Sequence, residues 1–149
     1  MSCANELSGI GYQGRSVDDL ITELERRGVT VLADVRLNAL SRKPGFSKRA
    51  LSTALERAGI RYVHLRSLGN ERDNRAGYAE TDTAAGDSAR DRYRAGLSGP
   101  EASEALAYLE SVSDSEKVAV FCFEADEAHC HRQQVLTAMS ARRREAISV

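Results

Sequence analysis

The sequence predicts an α/β domain with a parallel, or mostly parallel, sheet of about four to five strands and helices on both faces. Three observations predict it. Short apolar runs alternate with stretches whose apolar residues recur at helical spacing. One such run, Val29–Val35, is β-branched and apolar on both faces, as a strand enclosed between helix layers is. The alternation spaces the strands for crossover helices, which join parallel strands with a right-handed sense. At 149 residues and 16.3 kDa the chain reads as a single domain over 1–149, large enough to bury its own core.

Taken in order, Leu7–Tyr12 is short, apolar and glycine-containing, and reads as the first strand. Ser16-Val17-Asp18-Asp19 has the form of a capping box, a hydroxyl followed three residues on by a carboxylate. Val17, Leu20, Ile21 and Leu24 then recur at helical spacing, and Gly28 supplies the left-handed residue that stops the helix. Val29–Val35 is the second strand. Arg36–Phe46 is a polar loop closed by Pro44-Gly45, after which Ser47 is placed to cap a helix striped by Ala50, Leu51, Ala54, Leu55 and Ala58. Gly59 ends that helix and Ile60–Leu65 is the third strand.

The pattern breaks between Leu68 and Leu97, where there is no Leu, Ile, Val, Phe or Met. Alanines and two tyrosines are all that can bury much there, among five arginines and six acidic residues. The segment around 69–98 reads as a polar, partly helical, mobile insertion of the kind that forms a lid. Regularity returns at Gly99-Pro100, with proline suited to a first helical turn. Ala102, Ala105, Leu106, Leu109 and Val112 stripe the helix that follows. Lys117–Phe123 is the strongest strand, and His131–Arg143 the closing helix with Val135, Leu136 and Met139 inward.

Composition narrows the function classes. Lys plus Arg is 21 and Asp plus Glu 22, a formal net charge of −1 that argues against holding nucleic acid by bulk charge but leaves room for a local basic patch. The longest apolar run, Val118–Phe123, is far too short to span a membrane. Three cysteines cannot all pair within the chain and no secretory leader opens it, so free thiols in a reducing cytoplasm are expected.

In open parallel sheets, ligands bind beyond the carboxyl ends of the strands. The polar motifs gather there. Gly11-Tyr12-Gln13-Gly14-Arg15-Ser16 follows the first strand and suits either a tight turn or an anion held at a helix start. Asp34-Val35-Arg36 ends the second, followed by a basic rim of Arg36, Arg42, Lys43 and Lys48 around Ser47. Guanidinium groups there suit phosphate or carboxylate ligands, and equally an Asp34–arginine ion pair that only holds the loop. Cys122-Phe123-Glu124 ends the last strand, and His129-Cys130-His131-Arg132 leads into the final helix. Cys130 near a helix start, beside His131 and Arg132, is expected to have a lowered thiol pKa and nucleophilic character. Glu124 is a candidate general base or cation-orienting group. Cys122 alternates with the strand as a small core residue would. Cys122, His129, Cys130 and His131 have no standard zinc-finger spacing, so no metal site is expected.

With these residues placed, the chain resembles the family named domain of unknown function 488. The resemblance rests on Gly11–Ser16, Asp34-Val35-Arg36, Ser41–Lys48, Gly59–Leu65, Leu68-Gly69, Cys122-Phe123-Glu124 and Cys130-His131-Arg132. Ala39 and Asn70 depart from its usual pattern, as does the absence of tryptophan. The resemblance implies an α/β fold and the location of a site, but no particular reaction or cofactor.

The leading functional expectation is an enzyme acting on a phosphate-bearing substrate, a nucleotide or nucleic acid, in a cleft at the carboxyl edge. Tyr12, Arg15, Asp34, Arg36, Arg42, Ser47, Lys48 and Arg132 are the expected binding residues, and Glu124, Cys130 and His131 the catalytic ones. The alternative is a non-catalytic module binding nucleic acid or another anion through the same rim. A third reading is a partner-binding domain whose polar edge is only an ion-pair network.

Overall fold

A computed structural model describes residues 7–125 and 129–148. Cys3 and the loop positions Asp126, Glu127 and Ala128 lie outside them. The sheet is built from β1 (Leu7–Gly11), β2 (Val31–Asp34), β3 (Arg61–His64) and β4 (Val118–Cys122). All described pairings are parallel, and the spatial order is β1-β4-β2-β3. The last strand of the sequence therefore sits inside the sheet, between the first and the second.

Alternation of side chains sorts the core into two layers. Leu32, Ala119 and Phe121 face one way, with Ile10, and pack on Leu20 and Leu24 of α1 (Val17–Arg27) and on Leu51 and Leu55 of α2 (Lys48–Arg57). Val31, Ala33, Val118, Val120 and Cys122 face the other way. They meet α3 (Ala84–Gly96), α4 (Pro100–Ser113) and α5 (Arg132–Ser148). This is the expected parallel α/β architecture with helices on both faces.

Local signals explain most element ends. Ser16 and Asp19 form the capping box, each backbone N–H donating to the other's side chain at 3.0 Å. Gly28 takes the left-handed conformation after α1 at φ 75°. Ser47 precedes α2 but does not cap it. Its hydroxyl instead accepts from the Ser41 N–H at 3.0 Å and donates to the Ser41 carbonyl at 3.2 Å, closing the loop before the helix. The closing helix α5 runs to Ser148, beyond the expected Arg143.

Residues 66–79 fold into three short 3₁₀ turns, Arg66–Leu68, Arg72–Asn74 and Ala76–Ala79, followed by α3. The two tyrosines are its buried anchors: Tyr93 donates to the Leu68 carbonyl at 2.6 Å, and Tyr78 to Gln134 Oε1 at 2.8 Å. Asn74 ties the turns to α3 through the Asn70 side chain and the Ala89 carbonyl. Hydrogen bonds from buried aromatics and amides thus replace the missing aliphatic side chains.

Candidate functional site

Chain direction creates the cleft. After β1 and β2 the chain crosses to the α1–α2 face, whereas after β4 it turns to the α5 face. The strand ends on either side of β4 therefore open into a crevice, the usual ligand position in such sheets. A cavity of about 150 Å³ occupies it. Its floor is Tyr12, Arg36, Cys122, Cys130 and His131, and its rim includes Phe123, Glu124, Leu40, Arg75 and His129.

The loops after β1 and β4 are fixed to each other. Gln13 N–H donates to the Phe123 carbonyl at 2.8 Å, and Gln13 Oε1 accepts from the Ala125 N–H at 3.1 Å. Gly11 permits this approach, because a Cβ there would overlap the Glu124 carbonyl. Arg132, only 1% exposed, donates to the Glu124 carbonyl at 2.6 Å and the Ala125 carbonyl at 3.2 Å.

Beneath the cleft, Asp34 is fully buried and pairs with Arg36. Arg36 Nη2 donates to Asp34 Oδ2 at 2.7 Å and Nε to Oδ1 at 2.9 Å, while Nη1 reaches the Phe46 carbonyl at 2.7 Å. The guanidinium lies over the Phe121 ring at 5.0 Å and the Tyr12 ring at 5.5 Å. Tyr62 completes the carboxylate's shell, donating at 2.6 Å. Burial first, then the Asp34 charge, push the Tyr62 phenol above its ordinary range, which keeps it a donor. The pair satisfies itself, so Arg36 brings little net charge to the cleft.

On the floor, Cys122, Cys130 and His131 are all buried, and their sulfur and nitrogen atoms lie within 4.8 Å of one another. His131 Nδ1 is 3.9 Å from Cys122 Sγ and 3.8 Å from Cys130 Sγ. Its Nε2 is 2.8 Å from the Val35 carbonyl. A carbonyl only accepts, so Nε2 carries a proton and donates it, and Nδ1 is the ring nitrogen turned towards both sulfurs. The Tyr93 ring meets the imidazole edge-on at 5.2 Å. Cys122 also donates weakly to Glu124 Oε1 at 3.8 Å.

Contrary to the expected lowering, the Cys130 thiol is pushed well above its ordinary range. The hydrogen bond with Cys122 is the larger cause and burial the second, and His131 offsets them only in part. Arg132 donates to the Glu124 and Ala125 backbone carbonyls, and it is not among the causes acting on the Cys130 thiol.

Of the expected binding residues, Tyr12 and Arg36 line the cleft and Asp34 supports them from below. Glu124, Cys130 and His131 also line it. Arg132 is a buried clamp on the loop after β4. Ser47 closes a loop, Lys48 and Arg42 are exposed outside the cavity, and Arg15 lies beside Asp19 at the start of α1. Sequence reasoning missed Arg75, Tyr78 and Asn70 as lining residues, and took Cys122 as a small core residue after setting aside a metal set on its spacing. The signal for Tyr78 was present, since it and Tyr93 are the only large apolar side chains in their segment.

The fold and this edge define a parallel α/β domain with a thiol- and imidazole-floored cleft beside its central strand. The chain belongs to the family described as domain of unknown function DUF488, whose model matches residues 16–139. No curated protein and no solved structure matches it. Among the described residues, no helix is long and apolar enough to cross a membrane.

Proposed function

We propose that the cleft is the active site of an enzyme acting on a phosphate-bearing substrate of the nucleotide or nucleic-acid class, with only the reacting group entering the cavity. The observation that carries this reading is one cavity uniting exposed apolar side chains with buried titratable ones. Phe123 is 41% exposed and Leu40 76% exposed, both at the rim, while Cys130 and His131 are buried on the floor. An exposed ring at a site mouth suits stacking by a base. Drug-sized ligands occupy about 300–1,000 Å³, so a cavity of about 150 Å³ admits a group and not a whole nucleotide.

Anion recognition falls to Arg75, exposed at the rim and tethered through Nε to the Asn70 carbonyl at 3.2 Å. Glu124, beside it at the rim, supplies acid–base chemistry. Arg15, Arg42 and Lys48 lie outside the cavity, which weighs against a basic-rim binding module.

Calorimetric titration with a mononucleotide, inorganic phosphate and a short single-stranded oligonucleotide tests the reading. Phe123→Ala and Arg75→Ala are each expected to weaken nucleotide binding by about tenfold, the scale of one stacked base or one charge-assisted bond. Nucleotide binding unchanged in both variants, or absent in the wild type, overturns it.

A further inference from the structure

We infer that Cys122, Cys130 and His131 form a three-ligand zinc site whose fourth position opens into the cleft. This goes beyond the substrate reading above and does not depend on it. The donor set is two sulfurs and one imidazole nitrogen, drawn from the end of β4 and the turn into α5. Tetrahedral zinc with Zn–S near 2.3 Å and Zn–N near 2.05 Å sets sulfur and nitrogen about 3.6 Å apart. The two sulfur–nitrogen separations, 3.9 and 3.8 Å, are within a few tenths of that, and the two sulfurs lie within 4.8 Å of each other.

Three further features fit an ion rather than a bare thiol pair. The Nε2 bond to the Val35 carbonyl leaves Nδ1, the ring nitrogen facing the sulfurs, as the one available to a metal. Metal-bound histidines are oriented by such a bond from the other ring nitrogen. The imidazole is also held laterally by the Tyr93 ring, whose hydroxyl is itself anchored on Leu68. Finally, three protein ligands with an accessible fourth position are the pattern of zinc sites that do chemistry, whereas structural sites are closed by four. Glu124 is placed to act on whatever occupies that position, with Oε1 3.8 Å from Cys122 Sγ.

Zinc is the ion this set favours. Two thiolates exclude magnesium and calcium, which take oxygen ligands, and a sulfur-and-imidazole set is a common zinc environment. Binding balances as one Zn²⁺ taken up and two thiol protons released to solvent, with the neutral imidazole contributing its lone pair unchanged. Sequence spacing hid the site because Cys122 ends β4 and Cys130 precedes α5, and spacing alone does not show that these two elements meet there.

The test uses the full chain, reduced and freed of metal with a chelator, titrated with Zn²⁺ against a chromophoric competitor and with Co²⁺ for spectroscopy. One ion per chain is expected, with a thiolate-to-cobalt charge-transfer band. Cys122→Ser and Cys130→Ser should each weaken zinc by at least about tenfold and halve that band. Glu124→Gln should leave the band unchanged. X-ray absorption on the zinc-loaded wild type needs no variant, and should show two sulfur neighbours near 2.3 Å. Failure to bind zinc, an ion surrounded only by oxygen and nitrogen, or a Cys122–Cys130 disulfide persisting under reductant would overturn the inference. None of these results would alter the nucleotide titrations of Phe123→Ala and Arg75→Ala in metal-free protein, so the two ideas fail separately.

Discussion

Asp34 is fully buried, and Arg36 and Tyr62 take the place of water around its charge. Replacing it by Asn leaves the Arg36 guanidinium buried without its counter-charge. Asp34→Asn is expected to cost about 3–5 kcal/mol. Tyr62→Phe removes one bond to a charged acceptor and should cost about 1.5–3 kcal/mol. Urea denaturation of the two variants checks the order; an Asp34→Asn cost below that of Tyr62→Phe would refute the structural role assigned to the pair. Alkaline pH probes the same residues. Burial is the chief cause raising the phenols of Tyr62, Tyr78 and Tyr93. The folded chain therefore keeps protons that unfolded tyrosines release near about pH 10. Stability from these groups is complete below that pH and falls as pH rises through the folded-state values. The slope is at most about 1.4 kcal/mol per pH unit for each tyrosine. Melting temperatures from neutral pH upward should show the decline, and each Tyr→Phe variant should flatten it; three unflattened profiles would contradict the assignment.

The elements differ in how local their causes are. Ser16→Ala removes a cap held within four residues and should cost about 1 kcal/mol in thermal or chemical unfolding. Gly11→Ala works at a distance, forcing a methyl group into the Glu124 carbonyl, and should cost about 1–3 kcal/mol. It should also disturb the cleft, visible as shifted amide resonances of Cys122–Ala125; unchanged resonances with full stability would show that the strand ends are not tightly joined. Strands and helices were legible in the sequence for the same reason that Ser16 was: spacing, caps and glycines act over a few residues. Ser47 looked like a cap because its sequence context is right, but its hydroxyl is taken by Ser41 across a loop. The fold of residues 66–97 was not legible beyond partial helicity, since Tyr78, Tyr93 and Asn74 are buried through hydrogen bonds to distant partners. At the site, the edge and its residues Tyr12, Arg36, Glu124, Cys130 and His131 could be read from strand ends. The direction of Arg132 and the meeting of two cysteines with His131 could not, because both depend on how the end of β4 and the start of α5 are brought together in space.

For the whole molecule, the strand order has the largest effect. β1 and β2 never touch as hydrogen-bonded neighbours, because β4 lies between them. A fragment ending at Ser113 keeps β1, β2, β3 and their helices but cannot join β1 to β2. It is expected to lack a cooperative thermal transition, and calorimetry on residues 1–113 checks this; a sharp transition would show that the first three strands fold without the fourth.

A chain leaves the ribosome amino end first, and here that order matters. Until Val118–Cys122 has emerged, the segments of β1 and β2 lack the strand that lies between them in the folded sheet, where they stand two strand spacings, about 10 Å, apart. The strand edges and apolar side chains that β4 covers are then without their partner, the kind of surface that recruits other chains. The nascent protein thus carries a hazard of aggregation at the place where its cleft will form. Arrival of β4 removes that hazard and brings Cys122 to the cleft in the same event, so the site is not displayed before the sheet that carries it is closed.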